Sequence, residues 1–354
     1  MRDSSLCWKF MIGALVLTIA LGLLTVSAAE AQRVDPGDIQ ALREFLAPAS
    51  RVHQRRSHEL LADQDVVGTA VGLTATGAPA IKVFTKSEAI MRIPQTLEGV
   101  AVEIEITGSF HALGAANSEG STITPQVLLA PRKRPVPIGV STGNQNDCSA
   151  GTIGARVTDA SGNVYALSNN HVYALENRAE LNSNIVQPGL ADARCRINSD
   201  NVIGTLASFV PIEFSVSANN TVDAAIALSD VSLLGNATPA AGYGTPQSST
   251  ASAFVGQRVQ KFGERTKLTR GRVFGIDATV KVTYDSGEAR FVNQIVVTSP
   301  TAFIRPGDSG SLLVTRPDKH PVGLLFAGNG NGRMAIANPI DLVLGALGVS
   351  IDGQ

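Results

Sequence analysis

From Ile138 almost to the C-terminus, the chain is a succession of short β-type runs cut by turn residues. Few architectures accept that pattern over about 200 residues. The runs include Thr152–Val157, Val164–Leu167, Ala224–Leu228, Arg272–Ile276, Val280–Tyr284, Gln294–Thr298, Leu312–Val314 and Val322–Phe326. Each is too short for a core helix, and each can bury one face only by pairing with its neighbours. A β-barrel or sandwich is therefore expected. The pattern changes at the end, where Asn338 can cap a helix, Pro339 suits its first position, and Ile340, Leu342, Val343 and Leu347 share one face. No internal repeat is evident.

Upstream, Ile39, Leu42, Phe45 and Leu46 fall at helical spacing, so one or two amphipathic helices are expected over 36–62. Strand patterns follow over 66–110. One of them alternates Val102, Ile104 and Ile106 with Glu103 and Glu105 and reads as a half-buried strand. Helix and strands together form a small α+β unit, residues 32–112. Residues 113–137 are rich in Gly, Ser, Ala and Pro and read as a linker; its Arg132-Lys133-Arg134 is either a processing site or an exposed loop. The remaining segment, 138–354, is the β-rich domain.

The first 31 residues read as a signal peptide. Arg2 and Lys9 precede an uncharged apolar run, Phe10 to Val26, and Ala29-Glu30-Ala31 offers a cleavage point. An uncleaved membrane anchor is the alternative. Cleavage implies export, to the periplasm or the medium, with no stable membrane association afterwards. Export in turn permits a disulfide between the two remaining cysteines, Cys148 and Cys195, which bracket the segment around His171; two separate buried thiols are the alternative. A net charge of -1 gives no field for nucleic acid. No metal-binding spacing occurs, and no cofactor is expected.

The chemistry-bearing residues fall in three places. Gly307-Asp308-Ser309-Gly310 places glycines close on both sides of a serine, with an apolar strand behind. In such a turn the backbone N–H groups of Gly307 and Ser309 can converge on one oxygen, as an oxyanion hole requires. His171 follows a strand that ends in polar residues, Val164 to Asn170, which predicts an exposed histidine at a strand end. Asp223 opens the apolar run Ala224 to Leu228. An acid there is costly to bury unless hydrogen-bonded, and a histidine N–H is one suitable donor. His53, His58, His111 and His320 lack such a setting and read as surface or satisfied core residues.

In the order His171, Asp223, Ser309, these segments resemble the active-site blocks of the trypsin/chymotrypsin-like serine proteases. "LSNNHV" and "DAAIAL" look like the histidine and aspartate blocks of the bacterial HtrA-type branch. "RPGDSGSLLV" followed by "PVGLLFAG" resembles the serine block and next strand of the wider family. The final helix also matches, and residues 66–110 resemble an accessory N-terminal segment of some bacterial relatives. The resemblance implies a mainly β fold of two antiparallel β-barrels (chymotrypsin-like) with a small N-terminal α+β unit and a C-terminal helix. It implies His171, Asp223 and Ser309 as a catalytic triad, an oxyanion hole at Gly307 and Ser309, and peptide or protein substrates.

There are departures. Ser311 stands where a second glycine is commoner, and no PDZ-like module follows. Digestive members pair a freed N-terminus with the acid before the serine, here Asp308, but no activation boundary is legible near Ile138. The pocket stretches by resemblance are Thr301–Ile304 and Leu324–Gly328; neither carries an acid, so an apolar or small side chain is the expected preference. Gly328 to Gly332 reads as a hairpin loop and Lys261 to Gly271 as a turn between strands. Two other readings stay open: a catalytically silent protease-like domain that binds peptides or partner proteins, and a secreted β-sandwich module in which the three blocks lie far apart.

Overall fold

The computed structural model describes residues 36–88, 93–113 and 134–354; the signal-peptide segment and most of the linker lie outside them. The chain divides into residues 1–38, of which only the opening of helix α1 is described, and residues 39–354. Helix α1 is a single helix, Pro36–Leu61, running through Pro48. Strands β1 (Val66–Leu73), β2 (Pro79–Thr85), β3 (Thr96–Leu97), β4 (Val100–Ile106) and β5 (Phe110–Ala112) follow.

The next segment closes into a barrel. Its strands are β6 (Ser141–Asn144), β7 (Gly151–Thr152), β8 (Ala155–Thr158) and β9 (Val164–Ser168). After a helical turn, α2 (Asn170–Tyr173), come β10 (Asn184–Val186), β11 (Val202–Phe209) and β12 (Ala225–Ser229). Antiparallel pairing runs β6–β10–β11–β12–β9–β8, and the short step from β8 back to β7 returns to β6. Counting β7 and β8 as one bent strand, the barrel has six strands. Its interior holds Ile138, Ile153, Tyr173, Ile185, Ile203 and Leu206.

A second barrel is built from β13 (Arg258–Gly263), β14 (Lys267–Tyr284), β15 (Gly287–Thr298), β16 (Leu312–Thr315), β17 (Pro321–Asn329) and β18 (Met334–Pro339). Its antiparallel circuit β13–β16–β17–β18–β15–β14 closes back on β13. The two runs read separately from the sequence, Arg272–Ile276 and Val280–Tyr284, are parts of one long strand, β14, whose register shifts along β15 mark bulges. Apolar residues from both barrels meet in a seam that includes Leu167, Ile226, Leu312 and Leu324. Helix α3 (Ile340–Leu347) seals this seam with Ile340 and Val343, then ends at Gly348 in the left-handed conformation. The final strand β19 (Ser350–Ile351) returns to pair with β8 of the first barrel.

The strands at 66–106 extend the second sheet. Strand β1 pairs antiparallel with β14 and with β2, and β2 pairs parallel with β4. Helix α1 packs Val52, Leu60 and Leu61 on Val66, Ile81 and Val83. The half-buried reading of β4 needs correction. Val100 and Val102 are covered, but Ile104 and Ile106 on the same face are exposed. The opposite face carries Glu103 and Glu105 to the buried Lys82 of β2, at 2.6 and 3.1 Å. A buried ammonium needs those carboxylates, and that requirement outweighs covering two isoleucines. A disulfide joins Cys148 to Cys195.

Candidate active site

His171 lies in α2, directly after strand β9. It is not exposed, as the polar strand end suggested; it sits inside the helical turn with its side chain buried. The correction has a local cause: Asn169 and Asn170 turn inward, and Asn169 Nδ2 donates to the Asp223 carbonyl at 2.7 Å. Asp223 just precedes β12, which is β9's neighbour, so the sheet brings acid and imidazole together. His171 Nδ1 lies 2.5 Å from Asp223 Oδ2, and the His171 backbone N–H donates to Oδ1 at 3.2 Å.

The Asp223 carboxylate is fully buried, and one further donor serves it. Tyr284 Oη, at the end of β14, donates to Oδ2 at 2.9 Å. Burial and the adjacent Asp223 push the Tyr284 hydroxyl well above its ordinary pKa, so it stays a donor. Its ring meets His171 edge-on, with centroids 5.9 Å apart. Asn338, expected to cap the last helix, instead accepts the Asp223 backbone N–H at 3.0 Å and donates to Gln294 at 2.7 Å. Its side chain is buried beside the acid, so the helix starts without it.

Ser309 lies in the turn between Ile304 and β16. Gly307 and Gly310 take φ of +101° and +89°, a region side chains rarely tolerate. Space adds a second reason at Gly310, because a β-carbon there would stand 2.3 Å from Ser168 Oγ. A β-carbon on Gly151 would be 2.6 Å from Val172 Cγ2 and 3.2 Å from Ser309 O. Ser168 and Val172 flank His171 in sequence, so the histidine segment packs against Gly310 of the serine turn on one side and against Gly151 of β7 on the other. The turn is tied to the first barrel as Thr152 N–H donates to Ser309 O at 2.7 Å. Ser309 Oγ is buried and donates to Phe326 O at 3.3 Å, while His171 Nε2 makes no hydrogen bond among the described residues. The Ser309 N–H likewise finds no protein partner among them, and Gly307 N–H donates to Leu113 O at 2.8 Å.

Asp308 anchors this turn. Its carboxylate accepts from the N–H groups of Arg265, Thr266 and Arg305 and from Thr266 Oγ1. It also pairs with Lys261 Nζ at 3.3 Å, both side chains being fully buried. Sequence reasoning placed Lys261 in a turn; it is a core-facing residue of β13. No apolar run marks it in the sequence, since Val259-Gln260-Lys261-Phe262 is half polar.

No protein-family model matches the chain. One stretch is 34% identical over 107 residues to Streptogrisin-A of Streptomyces griseus, covering 29% of this chain and 33% of that protein. Another is 40% identical over 82 residues to Serine protease 2 of Streptomyces fradiae, covering 23% of this chain and 42% of that one. The chain is similar to trypsin/chymotrypsin-like serine proteases. The matches thus span under half the length of these curated relatives. Among solved structures, a glutamic acid-specific serine protease overlaps 61% of this chain and 100% of its own, at 23% identity and TM-score 0.43. Thermobifida fusca Protease A overlaps 62% and 100%, at 17% identity and TM-score 0.44. Cellulomonas bogoriensis chymotrypsin overlaps 62% and 99%, at 21% identity and TM-score 0.42.

Proposed function

We propose that this protein is an exported serine endopeptidase that hydrolyses peptide bonds through Ser309, His171 and Asp223. The observation that carries the reading is the buried Asp223–His171 contact of 2.5 Å, which leaves Nε2 of the same ring without a hydrogen bond. A carboxylate on Nδ1 selects the tautomer whose Nε2 carries the lone pair, the form a general base needs. Ser309 Oγ attacks the scissile carbonyl as its proton passes to Nε2. The N–H groups of Gly307 and Ser309 stabilise the oxyanion. His171 then protonates the leaving amine, and water releases the acyl group.

Peptides or proteins outside the cytoplasm are the proposed substrates, reached through export directed by residues 1–31. Among the described residues no helix is long and apolar enough to cross a membrane. Replacing Ser309 by alanine is expected to lower kcat about a million-fold and to abolish labelling by a fluorophosphonate. A Ser309→Ala protein that still turns over peptide would end this reading.

A further inference from the structure

Asp223 stands just outside the ladder of the first barrel, since β12 begins at Ala225. Among the described residues its backbone is held by side-chain amides. Asn169 Nδ2 donates to its carbonyl at 2.7 Å, and Asn338 Oδ1 accepts its N–H at 3.0 Å. Two residues earlier, Thr221 O accepts from Gln294 Nε2 at 2.9 Å. Gln294 Oε1 in turn accepts from Asn338 Nδ2 at 2.7 Å. Gln294 and Asn338 thus form one clamp, bonded to each other and to both ends of the Thr221–Asp223 segment.

Gln294, Asn338 and Asp223 are all out of reach of solvent. The partners fix which way each amide points: Thr221 O needs a donor, and the Asp223 N–H needs an acceptor. A hydrocarbon at 338 would leave that N–H unpaired in the interior, and a carboxylate would add a second buried charge beside the acid. The clamp belongs to the second barrel. Gln294 lies in β15 and Asn338 in β18, one step beyond the Ile295–Ala337 pair of their ladder. Asn338 is also opposite Leu324 of β17, and Leu324 is opposite Leu312, the first residue of β16. The serine turn leads directly into that strand. A continuous ladder therefore joins the anchor of the acid to the nucleophile, although His171 and Asp223 come from the first barrel.

We infer that Gln294 and Asn338 are positioning residues, which fix the acid of the first barrel against the sheet that carries Ser309. The inference rests on the proposed peptidase activity. Both act through Asp223, whose Oδ2 lies 2.5 Å from His171 Nδ1. Released from the clamp, the Asp223 backbone gains freedom and the contact lengthens. The imidazolium that forms as Ser309 gives up its proton is then less well stabilised. Substrate binding does not use that contact, so the loss falls on kcat and spares KM.

The full chain should be compared with Asn338→Leu and Gln294→Met by turnover of a peptide substrate. Rates are taken per fluorophosphonate-labelled serine, so that misfolded molecules are not counted. The expected fall in kcat is about 30-fold for Asn338→Leu and about tenfold for Gln294→Met, with KM held within about twofold. The double variant should fall well short of the product of the two, because either change alone releases the clamp. The low-field proton resonance of the Nδ1–H···Oδ2 hydrogen bond is expected to move upfield in each variant. Gln294→Met leaves Asn169 and Asn338 on the Asp223 backbone, so it keeps the test open if Asn338→Leu fails to fold. An active wild type whose Gln294→Met variant keeps both kcat and the resonance overturns the inference and leaves the peptidase reading standing. So does a loss confined to KM or to melting temperature. A wild-type chain that neither labels nor turns over peptide overturns both.

Discussion

Lys261 Nζ lies 3.3 Å from Asp308 Oδ2, and neither side chain is reached by solvent. Burial holds the lysine's pKa below its ordinary value, an effect that Asp308 opposes only in part. The pair holds the residue next to Ser309 from within the second barrel. Replacing Lys261 by methionine keeps the volume but leaves a buried carboxylate facing an apolar group. Losing one partner of such a pair costs about 3–5 kcal/mol. Lys261→Met is expected to lower the urea midpoint and, by loosening Gly307 and Ser309, to reduce kcat about 100-fold. Adding Asp308→Asn should restore part of the stability, which a double-mutant cycle measures. An unchanged kcat would show that the turn does not depend on the pair.

Tyr284 is expected to act as a positioning residue through Asp223 Oδ2. Tyr284→Phe keeps the ring that meets His171 and removes only the donated hydrogen bond. The acid then has one fewer constraint on its orientation toward the imidazole. The expected effect is about a tenfold fall in kcat, or about 1.4 kcal/mol, with KM nearly unchanged. A change in KM alone would mean that Tyr284 shapes the substrate site instead.

The three chemistry-bearing side chains stood out in the sequence because local grammar marks each of them. A serine between glycines, a histidine after a polar strand end, and an acid opening an apolar strand are all short-range patterns. The closed barrels were equally legible in outline, from runs such as Val164–Leu167 and Leu312–Val314. What surrounds His171, Asp223 and Ser309 was not. Tyr284 reaches Asp223 from the far end of the long strand β14, and Asn338 is diverted from capping by a backbone N–H far away in sequence. Leu113 was hidden by composition: it stands at the edge of a Gly, Ser and Ala-rich stretch, and only its backbone hydrogen bonds to Phe326 and Gly307 give it a place in the fold.

Glu264 packs beside the serine turn, where a β-carbon on Gly307 would stand 2.8 Å from its Oε2. Among the described residues neither carboxyl oxygen accepts a hydrogen bond, although Arg265 Nε is 2.9 Å away. Burial, then Asp192, outweigh the cations Arg265 and Lys267 and push its pKa up to about 8. The unfolded chain releases this proton near pH 4.5, before the folded one does. Stability is therefore expected to fall as pH rises from about 4.5 to about 8 and to change little from this source beyond. Glu264→Gln removes the penalty, so its melting temperature should gain on the parent between pH 5 and pH 9. A constant difference between the two would show that Glu264 does not titrate there. A Ser309→Ala background keeps both samples intact during melting.

His53 gives the opposite slope. It lies in α1 with its side chain buried, and its Nε2 is 2.9 Å from Thr69 Oγ1 of β1. Burial lowers its pKa to about 4, against smaller upward contributions from Asp277 and Thr69. The folded state thus keeps a neutral ring where the unfolded chain, near pH 6.5, already binds a proton. Stability is expected to hold above pH 6.5 and to fall as pH drops toward 4, by about 3 kcal/mol at full extent. His53→Gln retains a partner for Thr69 without the titration. In the Ser309→Ala background it should show a flatter acid limb of melting temperature against pH, and hydrogen exchange in α1 should no longer accelerate between pH 6.5 and 4.5 once corrected for intrinsic rates. Equal acid limbs in the two proteins would assign the loss to other groups.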